Sequence, residues 1–339
     1  MSFLGKIHHF ASNYLYFLPI LHHNRVCRKR VLKPLYEQLN TKTPKKRKEK
    51  IVIYMVLKET TFSGGLSDRF RGIVSIFETC QQMKVPFYIY FKIPNLEDYL
   101  VPNHYDWRIS EEDVCYDTRR VYPCTILTYH SNIKNKLQKI AQKSILKKFI
   151  KKDFEQIHVF SNMVSSDEKY GELFHELFKP SKDLAQLLNF HLEEIGGKGN
   201  YMAMVFRFRQ LLGDFKEGGD ILPEQERLAY IGRCKESVCN IHNQYPKERI
   251  LVTSDSVTFL NVLSDLPYVY VIPGNVVHVG FTFDADKKTY MKSFVDYFML
   301  SYASRIFLVR DQLMYHSGFA YRAALLNGAV YDEIQLNQN

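Results

Sequence analysis

Nothing in this chain offers a ready metal site, a membrane span or a common nucleotide fingerprint. Its six cysteines, Cys27, Cys80, Cys115, Cys124, Cys234 and Cys239, include no C-x-x-C pair and have no histidines at zinc spacing beside them. That pattern argues for a reduced intracellular protein without structural metal. No stretch approaches the roughly 18 apolar residues of a spanning helix. Residues 1–20 are interrupted by Lys6, His8, His9 and Asn13, so no standard signal peptide is expected. Tryptophan occurs once, against 23 tyrosines and 24 phenylalanines, and these smaller rings must supply aromatic surface for packing and for ligand contact. Gly64 and Gly65 follow an apolar run, yet the third glycine of G-x-G-x-x-G is missing and no Walker lysine follows. A nicotinamide or ATP reading loses ground accordingly.

What is present is a globular chain of 339 residues, long enough for two domains, with an apolar share of 46%. The 46 Lys and Arg outnumber the 36 Asp and Glu, and the excess concentrates in 25–50 and 134–152. Such a balance favours anionic partners: nucleic acid, an acidic membrane face or phosphorylated small molecules. Ile51–Leu57 reads as a buried strand, Ser63-Gly64-Gly65 as a tight loop, and Ile73, Ile76, Phe77 and Cys80 fall at helical spacing. Strand-like and helix-like pieces then alternate: strands at 87–91, 156–160, 201–208, 250–253, 268–272 and 305–309, helices at 132–152, 168–194, 224–245, 257–263, 294–303 and 318–326. This predicts an α/β fold with parallel sheets. The glycines of 195–200 are the expected hinge. The expected organisation is an N-terminal amphipathic and basic segment (1–50), a first Rossmann-like domain (51–198) and a second (199–339), with a cleft between the two domains.

Four groups of polar residues stand at the carboxyl ends of predicted strands, where open α/β sheets bind ligands. They are Ser63–Arg71, Arg207 with Arg209, Ser254-Asp255-Ser256, and His316-Ser317-Gly318-Phe319. Gly64 and Gly65 open a helix whose dipole favours phosphate, and Arg69 and Arg71 add full charge. Arg207 stands in the apolar run Met202–Phe208 and needs an anion, either Asp214 or Asp255 within the chain or a nucleotide phosphate. Ser317-Gly318-Phe319 opening a helix reads as a phosphate cradle or as an ordinary N-cap. Asp296, among Phe294, Val295, Phe298 and Met299, wants a donor such as a nucleobase N–H or a nearby arginine.

These segments together carry a family resemblance. GGLSDRFRG after a strand, MVFRFRQLLGDF opening the second half, TSDS after the next strand, and FVDYFMLSYASRIFLV followed by SGFAYRAALL resemble fucosyltransferase-type glycosyltransferases of the GT-B architecture over most of residues 51–335. The layout is most similar to bacterial surface-polysaccharide glycosyltransferases. The resemblance implies transfer of fucose from GDP-fucose with inversion and without metal or cofactor. Position by position, Arg207 matches the arginine of H-x-R that contacts the donor β-phosphate, and Asp296 the guanine-reading acid of D-x-x-x-L-S. Ser317, Gly318 and Phe319 match the loop over the phosphates, Gly64, Gly65 and Arg69 the glycine loop facing the donor, and Asp255 the acid of S-D-D. Asp68 and Arg209 lie in the same segments and join the donor-binding set. Two departures stand out: Val205 replaces the histidine of H-x-R, and the continuation to Asp214 is lengthened. Arg207 and Asp214 are the expected catalytic residues, with Asp214, Glu217 and Asp68 all open as general base.

Two other readings remain: a glycosyltransferase with another nucleotide-sugar donor, and a non-enzymatic polyanion-binding protein. No RNA or DNA module is recognisable, so nucleic acid is not an expected partner. Residues 1–22 carry Phe3, Leu4, Ile7, Phe10, Tyr14, Phe17, Leu18 and Leu21 ahead of the basic run. This fits an amphipathic helix on the inner membrane face as well as a helix packed on the protein body. The expected setting is the cytoplasm, with peripheral membrane contact bringing the enzyme to a saccharide or lipid-linked saccharide acceptor.

Overall fold

Two parallel sheets, each wrapped by helices, account for the apolar runs. The computed structural model describes residues 17–41, 44–58, 60, 64–128, 136–164, 167–215, 220–275 and 285–336. Packing divides them into two units: the chain up to Leu96 with Pro102–Lys179, and Glu97–Val101 with Pro180–Asn339. In the first, a helix over 17–27 (α1), a π-helical turn at Arg28–Leu32 and α2 (Lys33–Leu39) precede β1 (Ile51–Val56). Then come α3 (Leu66–Met83), β2 (Phe87–Phe91), β4 (Val121–Ile126), α4 (Lys136–Ile150), β5 (Gln156–Ser161) and α5 (Tyr170–Leu177), while the short β3 (Leu100–Pro102) and β6 (Phe178–Pro180) straddle the division. The sheet runs β2-β1-β5-β4, all parallel, and every residue of β1 is buried because helices cover both faces.

The second unit contains α6 (Lys182–Ile195), β7 (Tyr201–Phe206), α7 (Glu224–Gln244), β8 (Arg249–Ser254), α8 (Val257–Leu263), β9 (Val269–Tyr270), α9 (Lys287–Ser301), β10 (Arg305–Arg310), α10 (Gly318–Asn327) and β11 (Val330–Gln335). Its parallel sheet is ordered β11-β10-β7-β8-β9. Helix α9 is buried on all sides from Tyr290 to Ser301, which fits its nearly continuous apolar sequence.

The glycine cluster expected as a hinge also ends a helix. Gly196, at φ 107°, caps α6 by donating its N–H to Leu192 O, and the chain then turns into β7. Helix α6 packs on α9, and His191 pairs with the Tyr270 hydroxyl at 2.7 Å, so α6 belongs to the second unit. The division accordingly falls at Lys179/Pro180, ahead of the expected boundary at 198/199. The single helix expected over 168–194 is likewise broken at Phe178–Pro180. Pro180 cannot donate a helical N–H, and the Ser181 hydroxyl starts α6 by accepting from Leu184 N at 3.4 Å. Strand β4, absent from the expected set, contains Pro123; the sheet tolerates it because β4 is an edge.

Two close-packed features set energetic limits on the first unit. A Cβ at Gly72 would lie 2.2 Å from the Ser161 carbonyl oxygen, so only glycine lets α3 lie this close to β5. His158, fully buried in β5, pairs through Nδ1 with the Tyr36 hydroxyl and through Nε2 with Gln156 Oε1, both at 2.8 Å. Burial lowers its pKa to about 3.

Gly72→Ala should therefore destabilise the protein by about 2 kcal/mol or more in urea unfolding. Gly232→Ala, in an open position on α7, should stabilise it by about 0.5–1 kcal/mol. Equal effects would refute the close approach. The unfolded chain protonates His158 near pH 6.5 and the folded one only near 3, so unfolding takes up a proton between those values. Stability from this group is present above pH 6.5 and falls by about 1.4 kcal/mol per pH unit below it. His158→Gln should flatten the pH dependence by that slope between pH 6.5 and 5; identical slopes would place the folded proton equilibrium elsewhere.

Candidate active site

In the second unit β7 lies between β8 and β10. The chain leaves β7 toward β8 and β9 on one side and later fills β10 and β11 on the other, which makes the carboxyl end of β7 a topological switch point, the place where such sheets take ligands. Three segments meet there. Asp255, one residue past β8 and 4% exposed, accepts from Phe208 N at 2.9 Å, from Arg209 N at 2.7 Å and from Arg207 Nη1 at 2.7 Å. Tyr315 N, beyond β10, donates to Arg207 O at 3.1 Å.

Arg207 is thus the first residue after β7, and Asp255 is its ionic partner, one of the two carboxylates the sequence offered. The guanidinium also lies 4.9 Å from the Phe215 ring centroid. Burial pushes the Asp255 carboxyl above its usual range, against the pull of Arg207 and the two amides. Arg209 takes φ 56°, a left-handed conformation costly for a residue with a Cβ, and its amide is held there by Asp255. Its guanidinium faces the Tyr315 ring at 5.3 Å.

Asp214 serves the same edge differently. Its Oδ2 accepts from Ser256 Oγ at 2.8 Å and Thr258 N at 2.9 Å, an acidic cap on α8. Ser317 is the N-cap of α10, accepting from Phe319 N at 3.2 Å, with Gly318 as the first helical residue and the Phe319 ring edge-on to Tyr297 at 5.2 Å. The amides of α10 thereby begin beside the residues that follow β7.

Asp296 is buried, and its partner within the chain is a lysine. Both its oxygens bind Lys292 Nζ, at 2.5 and 2.6 Å, one turn earlier on α9. Burial pushes the carboxyl up, and the ammonium offsets this only in part. The i, i+4 spacing of Lys292 and Asp296 was the available signal for that partner. A second group missed in the sequence joins His316 Nε2 to Glu333 Oε1 at 2.9 Å. Glu333 is held in turn by Arg310 at 2.9 Å and the Tyr331 hydroxyl at 3.3 Å.

In the first unit Gly64 takes φ 70°, and a Cβ there would meet Asp68 Oδ2 at 2.5 Å. Gly65 is the N-cap of α3, and Asp68 pairs with Arg71 at 3.0 Å. Arg69 corrects an expectation. It is 1% exposed and turned inward, donating to Gly64 O at 3.0 Å and Ile93 O at 3.3 Å over the Phe91 ring, so it shapes the glycine loop and does not present charge at its mouth. Ser63 and Glu217 lie outside the described residues.

No family model and no curated protein matches the chain. Solved structures do. NodZ alpha-1,6-fucosyltransferase soaked with GDP-fucose is similar at 14% identity and TM-score 0.52, over 82% of this chain and 93% of that one. Fucosyltransferase NodZ from Bradyrhizobium is similar at 13% identity and TM-score 0.51, over 83% and 94%. A mutant of Arabidopsis thaliana FUT1 in complex with GDP is similar at 13% identity and TM-score 0.53, over 96% and 80%. The fold is that of these fucosyltransferases. The two Rossmann-like domains expected from the sequence are therefore present.

Removing Lys292 alone should be costly because it strands a buried carboxylate. Lys292→Met is expected to lose about 3–5 kcal/mol, and Lys292→Met with Asp296→Leu to recover most of it in thermal unfolding. Additive losses would show that the two side chains do not act as a pair.

Proposed function

We propose that this chain is a GDP-fucose-dependent glycosyltransferase acting on a saccharide or lipid-linked saccharide acceptor in surface-polysaccharide synthesis, with inversion at the anomeric carbon and no metal ion. The observation that carries this reading is the meeting of Arg207, Arg209 and the amino end of α10 at the switch point of a fold otherwise found in fucosyltransferases. A diphosphate leaving group gains charge as the glycosidic bond to fucose breaks, and a site must supply fixed positive groups where that charge grows. Asp255 orients the Arg207 guanidinium for this task, and the N-cap geometry of Ser317 aims backbone amides the same way. In the proposed division of labour the second unit binds the donor and the first unit serves the acceptor, while the glycine loop keeps the donor-binding role that the resemblance implies.

The acceptor hydroxyl must lose its proton. Of the residues expected for this, Asp68 is held by Arg71 and Asp214 caps α8. His316 is the alternative that the geometry favours, since Glu333 fixes its Nε2 and its other ring nitrogen bonds to nothing among the described residues.

A thermal-shift panel of GDP, UDP, ADP and CMP tests the donor class; GDP alone should raise the melting temperature. With GDP-fucose, Arg207→Ala should lose on the order of 100-fold in turnover while remaining folded by circular dichroism. Stabilisation by UDP in place of GDP would sink the donor assignment, and unchanged turnover would remove Arg207 from the chemistry.

A further inference from the structure

The amino edge of the first unit's sheet, opposite the end that carries the Gly64 loop, gathers positive charge from three segments distant in sequence. Arg28 in the π-helical turn lies 4.5 Å from the Tyr122 ring centroid, and Lys152 just past α4 lies 4.9 Å from the same ring. Tyr122 is the second residue of β4, while Lys50 and Lys152 precede β1 and β5, so all belong to the edge where the strands begin. Lys50 Nζ donates to Lys152 O at 2.5 Å, and Arg120 donates to Pro44 O at 2.9 Å and Lys45 O at 3.2 Å, which lays the basic linker against the same edge.

Part of it is matched at close range, Arg120 by Glu155, Arg47 by Asp113 and Arg119 by Asp117. Glu37 and Glu49 are the acids within 25–50, and 136–152 contains none. Arg25, Lys29, Arg30, Lys148 and Lys151 are exposed. Like charges assembled so densely repel one another, and an anionic surface relieves that repulsion. An apolar side chain stands beside Arg30: Val31 is 38% exposed. We infer that this edge is a docking surface for the anionic headgroups of a lipid bilayer. Headgroup phosphates take the cations, and Val31 lies against the headgroup layer. A single-stranded nucleic acid would want exposed aromatic platforms, whereas Tyr122 is 4% exposed beneath its two cations. The surface stands apart from the proposed sugar transfer, and its failure would leave that proposal untouched.

Co-sedimentation of the full chain with phosphatidylcholine vesicles, with and without phosphatidylglycerol, tests the inference. Binding should require the anionic lipid and weaken as salt rises. The triple variant Lys29→Glu, Lys148→Glu, Lys151→Glu should bind on the order of 100-fold more weakly, with its melting temperature and GDP-fucose turnover unchanged. Equal binding to neutral vesicles, salt-independent binding, or an unaltered triple variant would overturn it. If that variant unfolds, the salt series on the native chain decides. A single-stranded DNA oligonucleotide that displaces the vesicles from the protein would replace the lipid with nucleic acid as the partner.

Discussion

A single buried carboxylate organises the edge on which the functional reading rests. Asp255 accepts two backbone amides and one guanidinium from three consecutive residues after β7, and so converts the end of one strand into a fixed turn held from the next. The left-handed backbone of Arg209 and the orientation of Arg207 both follow from it. Without an acceptor at that point the two amides would be buried without partners, a cost comparable to losing the hydrogen bonds outright. The ion pair that could look like a structural end in itself is therefore what aims a cation at the switch point.

Charge is handled in two distinct ways along this chain. Inside the units it is matched locally: Lys292 with Asp296 on one helix and Arg71 with Asp68 on another. On the amino edge of the first sheet part of it is exposed to solvent, as at Lys29, Lys148 and Lys151. Matched pairs fix geometry and contribute little net stability, since desolvation offsets most of the attraction. Exposed clusters create a field that reaches a Debye length into solvent.

The fold was legible because both sheets are parallel and buried, which writes strands as continuous apolar runs and helices as apolar periodicity between them. Ile51–Val56, Tyr201–Phe206 and Arg305–Arg310 could be read almost to the residue. Edges were not legible. Strand β4 hides behind Pro123, and β11 is written in polar residues that face solvent, so Glu333 and its hold on His316 went unread. Arg207 and Asp255 were placed at a common rim by their positions after strands, and their contact realises one of the open alternatives. At Arg69 and Asp296 the sequence marks a charge but not the carbonyl or ammonium that folds onto it.

The path of the backbone has a consequence for any dissection of this molecule. Glu97–Val101 leaves the first unit, packs with the second and returns, so neither unit is one continuous stretch of polypeptide. Tyr99 from that excursion stacks on Phe294 at 4.2 Å and donates to Lys287 O at 3.2 Å, while Ser181 Oγ bonds to Asp98 O at 2.9 Å. A fragment beginning at Pro180 would present an uncovered Phe294 ring on the buried helix α9. Swapping halves between relatives would have to carry this five-residue loop along with the half that it serves.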